Sequence, residues 1–293
     1  MVEYLRLEQI PDLNRPALVL AFEGWNDAAE SASGSLEFLG RTVGARRFAA
    51  FDSEEFYSFT ETRPMVKLNE DVREIQWPDS HFSYAHREGD GRDLILLRGV
   101  EPQLRWRTFS QLVSGVARSA GVDLVVCLGA LLAEVPHTQP VRITGTSTDP
   151  ELTSIVGLEP SRYEGPTGIL GVLHQHFKTE GIPCVSIWAN VPHYIPAFPN
   201  PRATVALLGR VNSLLNLELD LSEFDSRTAE FDEQIRQGLS QNPEVAEYVS
   251  ELESRVGEED EPHVVTEDLP SGESLVADLE KFLRSQREDE GKE

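Results

Sequence analysis

The segment Val122–Leu128 constrains the fold more than any other part of the chain. Its sequence, Val-Asp-Leu-Val-Val-Cys-Leu, is an almost unbroken apolar run rich in β-branched residues. A short run of this kind predicts a strand buried on both faces, as in a parallel sheet covered by helices. We expect Gly129 to end this strand. Ligands bind beyond the carboxyl ends of such strands, so the polar loop that follows is where a site is expected.

Apolar strands and amphipathic helices alternate along most of the chain. Strands are predicted at 17–22, 46–51, 93–98 and 183–189, and helices at about 27–39, 103–119, 166–178 and 203–217. This alternation predicts a three-layer, doubly wound α/β domain. Residues 52–90 carry only scattered aromatic residues and fit antiparallel hairpin strands.

The charge of the chain changes near residue 220. From Glu218 to the end there are 24 acidic and 7 basic residues, which supply −17 of the formal net charge of −24. Amphipathic patterns in this part predict helices, the last of them near 271–283. The chain therefore divides into a predicted α/β core, residues 1–220, and an acidic C-terminal helical extension, residues 221–293.

The composition argues against two classes of partner. A net charge of −24 disfavours nucleic acids and anionic membranes, because both need a local excess of cations. No segment approaches the ~18 apolar residues of a membrane span, and the N-terminus carries acids where a secretory signal is basic.

Cys127 and Cys184 lie in apolar, strand-like runs and are expected to be buried free thiols. We expect a cytoplasmic protein.

The strongest chemical motifs are missing from the sequence. There is no Walker loop, no Rossmann glycine fingerprint, no Cys-x-x-Cys, no His-Glu-x-x-His and no Gly-x-Ser-x-Gly. His174 and His176 point to different helix faces, and no cysteine or carboxylate completes a metal-binding set. We therefore expect neither a cofactor nor a metal.

Polar residues follow three of the predicted strands. They are Glu23, Asn26 and Asp27 after the first strand, Glu134, His137 and Thr138 after the central strand, and His193, Tyr194 and Asn200 after the strand at 183–189. If these strands are parallel, all three groups lie along one edge of the sheet and form a candidate crevice.

Each group has a functional and a structural interpretation. Glu23 and Asp27 could be paired carboxylates for acid–base work, or Asp27 could cap the next helix while Glu23 accepts loop N–H groups. His137 could be a general base or a phosphate contact, or a packed loop histidine. The pair His193–Tyr194 has the same two interpretations. The residue types alone leave these alternatives open.

Five segments together resemble one protein family. They are FEGWNDAAESAS from Phe22, LGALLAEVPHTQPV from Leu128, YEGPTG from Tyr163, WANVPHYIPAFPNP from Trp188 and LPSGESLVADLEKFLR from Leu269. These segments, in this order, resemble the proteasome assembly chaperone family, and most closely its bacterial branch. The resemblance implies an α/β core similar to that of nucleoside phosphorylases and related hydrolases. It also implies self-association, with a homotrimer expected, and binding to proteasome α subunits.

The favoured hypothesis is a non-enzymatic, homo-oligomeric assembly factor that binds proteasome α subunits or another protein. Its candidate protein-binding residues are Tyr194, Phe198 and Asn200, because their loop is apolar and almost free of charge. The alternative is a small-ligand-binding protein, or a hydrolase- or phosphorylase-like enzyme, that uses the strand-end crevice. A third hypothesis is a scaffold whose only role is its own oligomer.

Overall fold

The computed structural model describes residues 4–69, 72–89, 91–149, 152, 159–160, 163–195 and 199–255. The strands are β1 (Leu5–Leu7), β2 (Ala17–Glu23), β3 (Arg46–Phe51), β4 (Met65–Asn69), β5 (Val72–Gln76), β6 (Ser80–Ala85), β7 (Leu94–Val100), β8 (Leu124–Ala133), β9 (Ile143–Ser147), β10 (Glu159–Pro160) and β11 (Cys184–Pro192). The helices are α1 (Ser31–Thr42), α2 (Ser53–Phe56), α3 (Trp106–Ser119), α4 (Ile169–Thr179), α5 (Pro201–Leu215), α6 (Glu223–Gln241) and α7 (Pro243–Ser254).

The main sheet is mixed, with strand order β1-β3-β6-β7-β2-β8-β11-β9-β10. The four central strands β7, β2, β8 and β11 are parallel. Beyond β7, the strands β6, β3 and β1 each pair antiparallel with the strand before them in this order. At the other end of the central group, β9 is antiparallel to β11. The predicted α/β fold is confirmed, and the parallel pairing of β2, β8 and β11 brings their carboxyl ends to one edge.

Strand β2 shows how the sheet divides the core into two layers. Its odd-numbered residues from Ala17 to Ala21 belong to the apolar cluster under α1 and α5. Its even-numbered residues from Leu18 to Phe22 belong to the cluster under α3 and α4. All are fully buried, because side chains alternate across a strand and both faces are covered. The expected three layers follow from this alternation.

Strand β8 extends through Gly129 to Ala133, which corrects the expectation that the glycine ends it. Gly129 pairs with Trp188 of β11, and a Cβ on Gly129 would lie 2.5 Å from the Trp188 ring. The glycine is therefore required for close packing between the two strands and does not form a turn. Because β8 is longer than predicted, Glu134 directly follows the end of the strand at Ala133, and His137 lies three residues further along.

The described part of the predicted C-terminal extension packs on the core. Phe224 of α6 lies in the cluster under α1, with its ring 5.1 Å from that of Phe38. The helix α7 packs on α6 and helps to bury Tyr194 and Ile195. Residues 256–293, including the helix predicted near 271–283, lie outside the described residues. Among the helices that the structure describes, none is long and apolar enough to cross a bilayer.

Candidate functional site

The carboxyl edge of the sheet opens between β2 and β8. Only residues 17–20 of β2 pair with β8. After β2 ends, the chain turns back towards β8. The carbonyl of Asn26 accepts the N–H of Ala130 at 2.8 Å, which closes the gap. The residues predicted after the first strand therefore lie at the point where the sheet separates.

Asn26 and Glu101 join three loops at this edge. Asn26 is 1% exposed, and its Nδ2 donates to Glu101 Oε1 at 2.7 Å. The same oxygen accepts the N–H of Ile169 at 2.7 Å, so the carboxylate lies at the N-terminus of α4, where the helix dipole favours an anion. A Cβ on Gly168 would lie 2.3 Å from Asn26 Nδ2, so only glycine fits there. Glu101 was not predicted as a site residue.

Asp27 has the capping role that was one of its two interpretations. Its Oδ1 accepts the N–H groups of Ala32 at 2.7 Å and Ser33 at 3.1 Å, and its Oδ2 accepts the Ser33 hydroxyl. A turn of 3₁₀ helix at 28–30 separates Asp27 from α1, which therefore begins later than predicted. Burial raises the pKa of Asp27 to about 6 against the lowering effect of these hydrogen bonds, and the charge of Glu23 adds to the rise.

Glu23 remains at the surface of the crevice. Its side chain is 48% exposed and lies 3.9 Å from Arg98, while its backbone carbonyl accepts the N–H of Glu101. The charge of Glu23 makes a small contribution to the raised pKa of Asp27. However, the Asp27 carboxylate is already engaged by the start of α1, so it is not free to act on a substrate.

His137 and Tyr194 form a close pair after β8 and β11. The Tyr194 hydroxyl accepts the N–H of His137 at 2.8 Å and lies 2.8 Å from His137 Nδ1. We assign the hydroxyl hydrogen to Nδ1, which places the imidazole proton on Nε2. Burial lowers the pKa of His137, and Arg202 lowers it further, so the neutral ring is favoured.

His193 is buried next to this pair. Its Nδ1 donates to the carbonyl of Ala133 at 3.2 Å, and the hydroxyl of Tyr248 on α7 lies 3.4 Å from its Nε2. Burial lowers the pKa of His193 despite the opposing effects of that carbonyl and of Glu134. The ring is thus a packed, hydrogen-bonded histidine beneath α7.

Glu134 and Thr138 contact the end of α7. The Thr138 hydroxyl donates to Glu253 Oε1 at 2.5 Å, and Glu134 lies 3.9 Å from Arg255. These contacts hold the C-terminal helices over the carboxyl ends of β8 and β11. The second predicted group of polar residues therefore meets a helix of the same chain.

The candidate protein-binding residues have internal positions where the structure describes them. Tyr194 is 2% exposed, so the expectation that its loop presents surface at this residue is corrected: α6 and α7 cover the ring. Asn200 is equally buried and caps α5, with its Oδ1 accepting the N–H of Ala203. Phe198 lies outside the described residues.

The strand-end residues fall into two groups with different neighbours. Asn26 and Asp27 face α1 and α4, whereas Glu134 and His137 face α7. Within the described ranges, no hydrogen bond or ion pair connects the first group with the second, and no cluster of three His, Cys, Asp or Glu side chains could hold a metal. The contacts at this edge connect elements of the fold to one another.

The hairpin β4–β5 is the second candidate site. Val66 pairs with Ile75 and Leu68 with Arg73, so these four side chains share one side, called here the hairpin face. Val66, Leu68 and Ile75 are 59%, 70% and 58% exposed. The ribbon forms its own two-stranded sheet and is exposed along both strands. The sequence predicts hairpin strands here but does not predict an exposed apolar surface.

A three-layer α/β core with a helical cover and a projecting hairpin defines the structural class. The PAC2 family model matches residues 21–238, and the chain belongs to the PAC2 family. This confirms the resemblance noted from the sequence motifs. No curated protein matches the chain significantly.

Solved structures support the same assignment. A PAC2 family protein from Streptomyces avermitilis is 45% identical, with a TM-score of 0.74 over 80% of this chain and 99% of that one. A Mycobacterium tuberculosis protein described as a proteasome-assembly chaperone homologue is 40% identical, with a TM-score of 0.73 over 80% and 99%. An archaeal proteasome activator from Pyrococcus furiosus, 20% identical, shares the fold with a TM-score of 0.65 over 80% and 97%.

Proposed function

We propose that the chain is a non-enzymatic, protein-binding assembly factor that acts in the cytoplasm as a homo-oligomer, with a trimer as the expected state. Membership of the PAC2 family supports this proposal, as does the 40% identical relative described as a proteasome-assembly chaperone homologue. The client is a protein, and proteasome α subunits are the first candidate. The strand-end contacts described above maintain the fold that presents the binding surfaces.

The observation that carries the proposal is the exposed hairpin face. An isolated two-stranded hairpin is marginally stable at best in water. Burying a Val, Leu or Ile side chain stabilises by about 1.5–3 kcal/mol, and Val66, Leu68 and Ile75 are all more than half exposed. Contiguous exposed apolar surface is a feature of protein–protein contact sites, which supports the hairpin face as the binding surface. A partner that covers the ribbon would stabilise it.

The oligomer is tested with Leu68→Lys, which places a charge on the hairpin face, and with Gln76→Lys as a matched control. Gln76 pairs with Met65, so its side chain points to the opposite side of the ribbon. Light scattering should show a homo-oligomer for the wild type and the control and a monomer for Leu68→Lys. An oligomer of unchanged mass in Leu68→Lys would remove the hairpin face from the proposal.

The client is tested by mixing the purified chain with proteasome α subunits from the same organism. Native mass spectrometry should detect a complex of fixed stoichiometry, and α-subunit rings should form faster than without the chain. If α-subunit rings form at the same rate with and without the chain and no complex is detected, α subunits are excluded as the client.

A further inference from the structure

The helix α7 is attached to the core through an apolar cluster of its own. The cluster is separate from the two that lie on either side of the main sheet, and its buried members are Tyr194, Ile195, Phe231, Ile235, Val245, Val249 and Leu252. The helix α7 has 12 residues, a length at which an isolated helix is marginal in water. It therefore depends on these contacts, and its detachment leaves both main clusters in place.

The Tyr194 hydroxyl in this cluster is bonded to His137. It accepts the backbone N–H of His137 and donates to His137 Nδ1, both at 2.8 Å. Tyr194 is 2% exposed, and among the described residues its hydroxyl has no other hydrogen-bond partner. The single hydrogen of this hydroxyl therefore needs an unprotonated Nδ1 as its acceptor.

Protonation of His137 disrupts this arrangement. The added proton turns Nδ1 from an acceptor into a donor, so both N–H groups of His137 point at the same oxygen. The hydroxyl hydrogen of Tyr194 is then buried without an acceptor, which is unfavourable. Tyr248 of α7 packs edge-on against the Tyr194 ring at 6.4 Å. Detachment of α7 admits water to the hydroxyl and to the imidazolium, so protonation favours the detached state.

The charged groups around His137 come from three helices. Burial is the largest influence on the pKa of His137 and lowers it, and Arg202 of α5 lowers it further. Asp232 of α6 and Glu253 of α7 raise it. Arg202 and Asp232 form a two-point ion pair, with contacts of 2.6 and 2.5 Å, so their effects on the ring oppose each other. The neutral ring is therefore favoured while α7 is attached.

His193, the second histidine beneath α7, accommodates a proton more easily. Its Nδ1 already donates to the carbonyl of Ala133 at 3.2 Å, so a proton would be added at Nε2. The hydroxyl of Tyr248 lies 3.4 Å from Nε2, and Tyr248 is only half-buried. This hydroxyl can turn its hydrogen to water and accept from the ring. Burial lowers the pKa of His193, and the carbonyl of Ala133 and the charge of Glu134 oppose that effect.

We propose that the contact between His137 and Tyr194 is an acid-sensitive switch that holds α7 on the core at neutral pH and releases it on acidification. The switch is independent of the proposed oligomer and of the hairpin face. Its sign follows from the pKa of His137, which is lowered from 6.5 in the folded chain. Below about 6.5 the detached state binds more protons than the attached state, so attachment weakens as the pH falls. Release exposes Tyr194 and Ile195 together with the apolar side of α7.

Hydrogen exchange of the wild-type chain, corrected for the intrinsic rate at each pH, tests the switch. Protection of the amides of α7 should fall by about threefold or more between pH ~7.5 and pH ~5.5, whereas the amides of α3 should lose none. The pKa of Asp27 is raised to about 6, so that group stabilises the fold as the pH falls and cannot produce the loss. Unchanged protection of α7, or an equal loss in α3, would overturn the proposal.

Two histidine variants assign the effect to His137. In His137→Asn a side-chain oxygen can accept the Tyr194 hydrogen but does not titrate, so protection of α7 should be the same at both pH values. His86→Asn is the matched control, because His86 is bonded to Asp93 and should leave the wild-type pH dependence unchanged. A wild-type pH dependence in His137→Asn, or its loss in His86→Asn, would overturn the assignment.

Tyr194→Phe gives a second test that does not depend on the folding of His137→Asn. Without the hydroxyl, protonation of His137 leaves no hydrogen without an acceptor. The ratio of α7 exchange rates at the two pH values should therefore be smaller than in the wild type, although α7 exchanges faster at both. A ratio equal to that of the wild type would overturn the role of Tyr194. Circular dichroism verifies that each variant is folded.

Discussion

Asn26 Nδ2 donates to Glu101 Oε1 at 2.7 Å, and this bond joins loops that are 75 residues apart in the chain. The same carboxylate oxygen accepts the first N–H of α4, 68 residues away from Glu101 in the opposite direction. One side chain thus determines how the chain after β2, the chain after β7 and the start of α4 fit together. The carboxyl edge of the sheet depends on it.

Removing this carboxylate should destabilise the fold. Glu101→Ala leaves the amide of Asn26 and the N–H of Ile169 buried without an acceptor, so we expect the free energy of unfolding to fall by about 1–3 kcal/mol. Glu101→Gln keeps an acceptor oxygen and should lose less than half as much. Urea denaturation measures both. Equal losses in the two variants would show that the shared oxygen is not what stabilises the site.

Asp27 should make stability depend on pH. Its pKa is raised from 3.8 to about 6 in the folded chain, so the folded state holds the proton between those values while the unfolded state has released it. The contribution of Asp27 to the free energy of unfolding is therefore greatest below pH ~4. It falls by about 3 kcal/mol in total as the pH rises through about 6.

The comparison with Asp27→Asn isolates this effect. The stability of the wild type relative to Asp27→Asn should fall as the pH is raised from 4 to 7, measured by urea denaturation at each pH. The carboxyl carbon of Asp27 should titrate near pH 6 by NMR. Two results together would contradict the raised pKa of Asp27. They are a stability difference between the wild type and Asp27→Asn that does not vary with pH, and an Asp27 carboxyl carbon that titrates near pH 4.

Tyr194→Phe should destabilise the attachment of the C-terminal helices. The change removes the acceptor for the His137 N–H and the donor to its Nδ1, which should cost about 1–3 kcal/mol. Tyr248→Phe is the control, because the Tyr248 hydroxyl makes a longer contact of 3.4 Å to His193. Hydrogen exchange should accelerate along α7 more in Tyr194→Phe. The reverse order would show that the Tyr194 hydroxyl does not stabilise the attachment of α7.

Cys127 and Cys184 should be unreactive in the folded protein. Both are fully buried with their sulfurs 3.6 Å apart, and burial raises the pKa of the Cys184 thiol well above its usual value. Thiolate is the reactive form, so a thiol-specific reagent should label the native chain at least ~1,000-fold more slowly than the urea-unfolded chain. Rapid native labelling would show that β8 and β11 open readily.

The sequence predicts the buried strands because their signal is local. Strands β2, β7, β8 and β11 are mostly apolar runs, and a run buried on both faces needs no distant information to be recognised. The capping role of Asp27 was also among the interpretations for the same reason, since it acts on residues five and six positions ahead.

Long-range contacts explain what the sequence did not predict. Nothing near Glu101 indicates that it accepts from Asn26 and Ile169. Gly129 resembles a strand end until the Trp188 ring of a neighbouring strand is placed over it. Tyr194 lies in an apolar loop that resembles exposed surface, but α6 and α7, which are distant in sequence, cover it. The exposure of the hairpin is likewise visible only after the rest of the sheet has formed.

Native mass spectrometry of the wild-type chain at micromolar concentration tests most directly whether the protein assembles through the hairpin face. We expect a single homo-oligomer, with three copies as the expected number. Its hairpin amides at 65–76 should exchange slowly in a parallel hydrogen-exchange measurement. A monomer with rapidly exchanging hairpin amides would contradict the claim that the exposed apolar face of β4–β5 is a surface for binding another protein chain.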